Sequence, residues 1–72
     1  MTLKEKLNHL EELLEIDEDT LTEENEIHQL KQWDSMAFIA IIAMFDDVFG
    51  KIITPEKVRS FKTIKDIIDE ME

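Results

Sequence analysis

The chain has no cysteine, one glycine and one proline in 72 residues. Without cysteine there is no disulfide, no thiolate metal site and no thiol nucleophile, and a cytoplasmic location fits that. With a single glycine, the oxyanion glycines of a nucleophile elbow are missing. Basic residues are also scarce: 8 Lys and Arg face 18 Asp and Glu, for a formal net charge of −10. No basic stripe can neutralise phosphates, so nucleic acid and anionic lipid are excluded as partners. Basic patches on other proteins are the natural complement. The longest apolar run, Met36 to Phe45, is too short to cross a bilayer, so no membrane insertion is expected. The N-terminus has no charged-then-apolar secretory leader. There is no internal repeat, low-complexity tract or sustained strand alternation.

What remains is one small domain over residues 1–72 with an ordinary apolar fraction of 43%. A chain of this size buries only about 60% of its unfolded surface, so its stability is modest. The acidity is uneven. Residues 11–26 hold nine acids and no base. Asp17 and Asp19 open a spacing like that of an EF-hand. However, Leu21 replaces the third ligand, Thr22 stands where glycine is required, and His28 replaces the bidentate glutamate. The loop fails as a calcium site, and a solvated acidic surface is expected. His28 has no partners at metal-ligand spacing, so no metal is expected.

The pattern predicts an all-α fold, a small four-helix bundle of three main helices plus one short helix, with a long first loop. Thr2 and Glu5 form a capping box that opens a first helix near Leu3. Leu3, Leu7, Leu10, Leu13 and Leu14 then share one helical stripe. From Ile16 to Trp33 the periodicity fades into a loop, pinned at Leu21, Ile27 and Leu30. A second helix opens at Asp34 or Ser35 and stops before Gly50, which sits where a left-handed cap is wanted. Thr54-Pro55 starts a short third helix to about Arg59. Thr63 and Asp66 form another capping box, opening a last helix with Ile64, Ile67, Ile68 and Met71 inward.

The second helix is apolar on two sides. At about 100° per residue, Phe38, Ile41, Ile42, Phe45 and Phe49 make the core stripe. Met36, Ile39, Ala40, Ala43 and Asp47 fall opposite, flanked by Ala37 and Met44. In so short a chain two other long helices cannot enclose this one, so the second face predicts an interaction surface. Self-association and cover by the long loop are the alternatives. Ser35 stands at the mouth of this helix. His9 and His28 are the only histidines, and no motif ties either to Ser35, so a catalytic triad is not assembled. Taken alone, Ser35 reads as a helix-capping serine.

Asp34-Ser35-Met36 followed by an apolar helix, in an acidic chain of this size, resembles the acyl carrier protein family, whose motif is Asp-Ser-Leu at the start of the second helix. The likeness covers essentially the whole chain. It includes the Leu-rich first helix, the long acidic loop, Phe49-Gly50 near the end of the second helix, the short third helix and the Thr-capped last one. It implies a non-catalytic carrier with 4′-phosphopantetheine, drawn from coenzyme A by a phosphopantetheinyl transferase, attached at Ser35. The arm's thiol would hold an acyl group as a thioester. Acyl-loading and acyl-transferring enzymes would be the partners, and the carrier would act as a monomer. The resemblance also implies that partners read Asp34, Met36, Ile39, Ala40, Ala43, Met44 and Asp47.

Two departures from the family stand out. Met36 replaces leucine at similar size. Ala37, Ala40 and Ala43 stand where the family often has acids, leaving Asp34, Asp46 and Asp47 as charges. Recognition should therefore be more hydrophobic than in a general fatty-acid carrier, as in a dedicated pathway making or decorating a polysaccharide or secondary metabolite. Lys51, Lys57, Arg59, Lys62 and Lys65 gather around the third helix, a second surface that could select partners. The alternatives are an aminoacyl or peptidyl carrier, and an unmodified helical adaptor that dimerises through the apolar face.

Overall fold

The computed structural model describes residues 2–71. Its helices are α1 (Leu3–Leu14), α2 (Ser35–Phe49), α3 (Pro55–Ser60) and α4 (Ile64–Glu70), with a 3-10 turn at Ile27–Gln29 inside the long first loop. The expected three main helices and one short one are present, and no strand occurs among the described residues.

Each helix begins where a side chain can take its orphan N–H groups. At α1 the box closes in both directions. The Thr2 N–H donates to Glu5 Oε1 at 3.0 Å, and the Glu5 N–H donates to Thr2 Oγ1 at 3.2 Å. Thr54 caps α3 by accepting from the Lys57 N–H at 3.2 Å. At α4 the Asp66 carboxylate does most of the work, accepting from the N–H groups of Lys62 (2.8 Å) and Thr63 (3.2 Å). The stops of α1 and α2 follow the left-handed pattern. Gly50 ends α2 at φ 60°, with its N–H donating to the Asp46 carbonyl and that of Lys51 to the Phe45 carbonyl. At α1 the same job falls to Glu15 at φ 58°, a conformation that costs a residue with a Cβ.

α1 packs on α2 and α4, and α3 packs on α2. Leu10, Ile27, Ile41, Phe45, Ile64 and Ile67 are fully buried between them. The stripe on α1 is centred on Leu10 and Leu14, while Leu3 at its start stays 46% exposed. On α2 the buried line is Ala37, Ile41, Met44 and Phe45, and Phe38, Ile42 and Phe49 are only half-buried. At about 100° per residue, the helix is rolled by roughly a fifth of a turn from the expected stripe. The reason is its two neighbours: α2 must face α1 on one side and α3 on the other. Phe38 turns toward α3, where the Arg59 guanidinium lies 5.5 Å from its ring centre. Phe49 leans on Phe45 with ring centres 5.9 Å apart.

The long loop is anchored at the expected points, with Leu21 and Ile27 buried and Leu30 half-buried against the core. Two further ties hold it. A backbone seam joins it to the entry of α4: Ile27 N–H to the Lys62 carbonyl (2.9 Å), Ile64 N–H to Asn25 (3.0 Å) and Lys65 N–H to Glu23 (3.1 Å). The second tie is Glu11, which is only 2% exposed. Its Oε1 accepts from Asn8 Nδ2 (2.8 Å) and the Asp19 N–H (3.0 Å), and its Oε2 accepts from the Leu21 N–H (2.8 Å). Burial pushes the Glu11 carboxyl up, but these donors together outweigh it and hold it below the usual glutamate range.

Candidate functional site

Ser35 is the first residue of α2 and is exposed. It is not the cap. The residue before it, Asp34, adopts the extended conformation of a cap, and its Oδ1 accepts from the Ala37 N–H at 2.9 Å. This excludes the capping-serine reading: the helix start does not need the Ser35 hydroxyl. The entry to this turn is held by Trp33, half-buried against the core, whose N–H donates to the Leu30 carbonyl at 3.1 Å. A helix start also offers N–H groups with no carbonyl one turn earlier, here those of Ser35 and Met36, and the positive end of the helix dipole. An anionic ester at the Ser35 hydroxyl fits both features.

The outward side of α2 carries Met36, 73% exposed, Ile39, 61% exposed, and the exposed residues Ala43, Asp46 and Asp47. Asp34 is exposed beside them, and Ala40 is half-buried. Met44 is a correction. It is 4% exposed and belongs to the core, because the roll of α2 carries it inward beside Ala37. It drops out of the outward set. The connection between α2 and α3 adds a residue that sequence reasoning missed: Ile52, 87% exposed, next to the buried Ile53. An extended pair of isoleucines signals this, since neighbours in extended chain point opposite ways.

Around α3 the basic residues are largely paired within the chain. Glu70 takes Lys51 and Lys57, each at 3.1 Å, and Lys65 pairs with Asp69 at 3.2 Å. With Arg59 over Phe38, four of the five cations are committed within the chain. The Lys51 and Lys57 ammonium groups hold the Glu70 carboxyl below its usual range.

A groove of about 360 Å³ runs between α1 and α2, and Ser35 is not among the residues that line it. Leu13, Leu14 and Glu15 form one wall, Asp34, Met36, Ala37 and Ala40 the other, and Gln32 closes one end. Among the described residues, no group of His, Asp and Glu is placed to hold a metal ion, and no helix is long and apolar enough to cross a membrane.

A small helical scaffold that leaves a hydroxyl free at a helix start is suited to carrying an attached group. Comparison with known families agrees: the family described as phosphopantetheine attachment site (PP-binding) matches residues 7–71, and the chain belongs to it. An acyl carrier protein from Coprothermobacter proteolyticus is 26% identical over 69 residues, covering 96% of this chain and 84% of that one. No solved structure matches the chain. The family assigns a covalent 4′-phosphopantetheine, added by a phosphopantetheinyl transferase, to a protein that carries rather than catalyses.

Proposed function

We propose that Ser35 is the residue esterified with 4′-phosphopantetheine and that the loaded protein presents an acyl thioester to partner enzymes of a specialised biosynthetic pathway. The observation that carries this is the division of labour at the start of α2. Asp34 caps the helix and Ser35 is left exposed with no capping duty. When bound, the arm supplies a terminal thiol to a chain that has none of its own. The chain's part is to hold the ester at the helix start, clear of the core, and to present a surface beside it. The relative from Coprothermobacter proteolyticus is named an acyl carrier protein, which supports an acyl cargo over an aminoacyl one.

The partner-reading surface in this proposal is Asp34, Met36, Ile39, Ala43 and Asp47, with Ala40 at its edge. Its centre is apolar, so partners meet it mainly through desolvated contact, with Asp34, Asp46 and Asp47 steering approach. The carrier works as a cytoplasmic monomer, loaded and unloaded by acyl-handling enzymes. Intact mass after incubation with coenzyme A and a promiscuous transferase tests the attachment. Wild type gains one phosphopantetheine and Ser35→Ala gains none. The same gain on Ser35→Ala would refute the assignment.

A further inference from the structure

We infer that Met36 is a reversible oxidation site, and that a hydroperoxide converting its thioether to the sulfoxide slows loading of the carrier; the effect on loading rests on Ser35 being the attachment point. Met36 follows Ser35 directly and is 73% exposed. It belongs neither to the buried core nor to the half-buried side chains packed against it. Met44 and Met71, at 4% and 1% exposed, lie inside the core. An oxidant must reach the sulfur, so Met36 reacts while Met44 and Met71 are shielded. Met1, the remaining methionine, lies outside the described residues.

Hydrogen peroxide and alkyl hydroperoxides are neutral, so a net charge of −10 does not keep them away. The sulfur lone pair attacks one peroxide oxygen. An S–O bond forms as the O–O bond breaks, the sulfur is oxidised by two electrons, and the other oxygen leaves as water or an alcohol. Sulfoxide reductases reverse the change, one for each epimer at sulfur. They return the thioether as two thiols become a disulfide and the oxygen leaves as water. The sulfoxide places a strong acceptor on an apolar surface. Ile39 and Ala43, on the same outward side of α2, have no side-chain donor, and Asp34 brings only acceptors. In the free protein water solvates the new oxygen. The start of α2 is not disturbed, because Asp34 rather than Met36 caps it. An enzyme that works on the Ser35 hydroxyl must cover the next residue, and the sulfoxide then loses its water. Uncompensated desolvation of this kind lowers kcat/KM by about tenfold.

The full chain is treated with hydrogen peroxide before loading, and catalase then removes the excess. Fragmentation of tryptic peptides locates the added oxygen, separating Met36 from Met44 within residues 32–51. It is expected on Met36 first, and oxidation of Met44 or Met71 ahead of Met36 would overturn the site. Intact mass against time, with coenzyme A and a promiscuous phosphopantetheinyl transferase, then reads the loading rate. The oxidised form should load about tenfold more slowly and recover after treatment with both sulfoxide reductases. Its thermal midpoint should stay within about 4 °C of the reduced form; a larger fall would assign the slowing to unfolding and overturn the switch. In Met36→Leu, whatever its own rate, peroxide should leave that rate unchanged. Equal loading of the oxidised and reduced wild type, or a slowing that persists in Met36→Leu, would overturn the switch while leaving the Ser35 assignment standing. If the reduced wild type gains no phosphopantetheine, or Ser35→Ala gains it too, the assignment fails and the switch fails with it.

Discussion

Replacing Glu11 with alanine should unfasten the long loop. The carboxylate satisfies the buried N–H of Leu21 and the N–H of Asp19, and it also holds the Asn8 amide. Water can replace it at Asp19, which is exposed, but not at Leu21, which is 5% exposed. Leaving one buried N–H without a partner costs about 1–3 kcal/mol. If the loop instead lifts to hydrate that N–H, burial of the Leu21 side chain is lost, at about 1.5–3 kcal/mol. Either route gives a loss of about 1–3 kcal/mol, against a total stability of roughly 4–10 kcal/mol for a chain of this length. At about 4–8 °C per kcal/mol for small domains, Tm should fall by roughly 5–25 °C. Glu11→Gln keeps one acceptor for Leu21, and Asn8 can turn its amide to face the new NH₂, so its loss should be intermediate. Thermal unfolding followed by circular dichroism, with hydrogen exchange at the Leu21 amide, reads both effects. A Glu11→Ala protein melting within about 2 °C of wild type, with Leu21 still protected, would refute the latch.

Acid should weaken the fold through the same residue and its counterparts. Glu5, Glu11, Asp66 and Glu70 all sit below their usual values in the folded state. The unfolded chain therefore binds protons more readily, and stability is full above the ordinary value of 4.5 for glutamate and drains as pH falls through the lower folded values. Urea midpoints measured from pH 7 to pH 3 should be level at first and then drop, and a rise on acidification would contradict this. Ser35→Ala should change stability by less than about 0.5 kcal/mol, whereas Asp34→Ala should lose about 1 kcal/mol with its cap, as read by paired denaturation curves. Glu15→Gly should stabilise by about 0.5–1 kcal/mol by relieving the left-handed cap, and Gly50→Ala should cost a similar amount although no atom lies within 4 Å of the added methyl. Transfer from the loaded carrier to a cognate enzyme should slow by less than about threefold between low and ~0.5 M salt, because the outward side of α2 is apolar; a steep loss would favour charge-led docking.

Much of the fold was legible because local chemistry set it. Thr2, Asp34, Thr54 and Thr63 open helices, and Gly50 closes one, for reasons contained in a few neighbouring residues. The face of α2 was less legible, because periodicity gives the spacing of a stripe but not the angle at which two neighbours hold it. That is why Met44 was placed outside and lies inside. Glu11 was counted with the surface acids although it occupies a stripe position, four residues after Leu7 and three before Leu14. Its role depends on a loop that no helical pattern describes. The pairing of the cations around α3 was not legible for the same reason, since Glu70 meets Lys51 and Lys57 only once the chain has folded back. The Asp-Ser-Met tripeptide showed where to look, and the structure adds that Asp34 relieves Ser35 of capping.

The seam between residues 23–27 and 62–65 bears on the order of events as the chain is made. A polypeptide emerges from its N-terminus, and contacts distant in sequence wait for both halves. The long loop has local backbone turns of its own, but the Ile27 N–H has no such partner until the entry of α4 has been synthesised, since the carbonyl that receives it belongs to Lys62. The start of α2 itself is held locally, by Asp34 on the Ala37 N–H and by Leu30 on the Trp33 N–H, and does not wait for α4. The seam thus joins the fates of two distant segments: whatever loosens the entry of α4 also loosens residues 23–27 of the long loop.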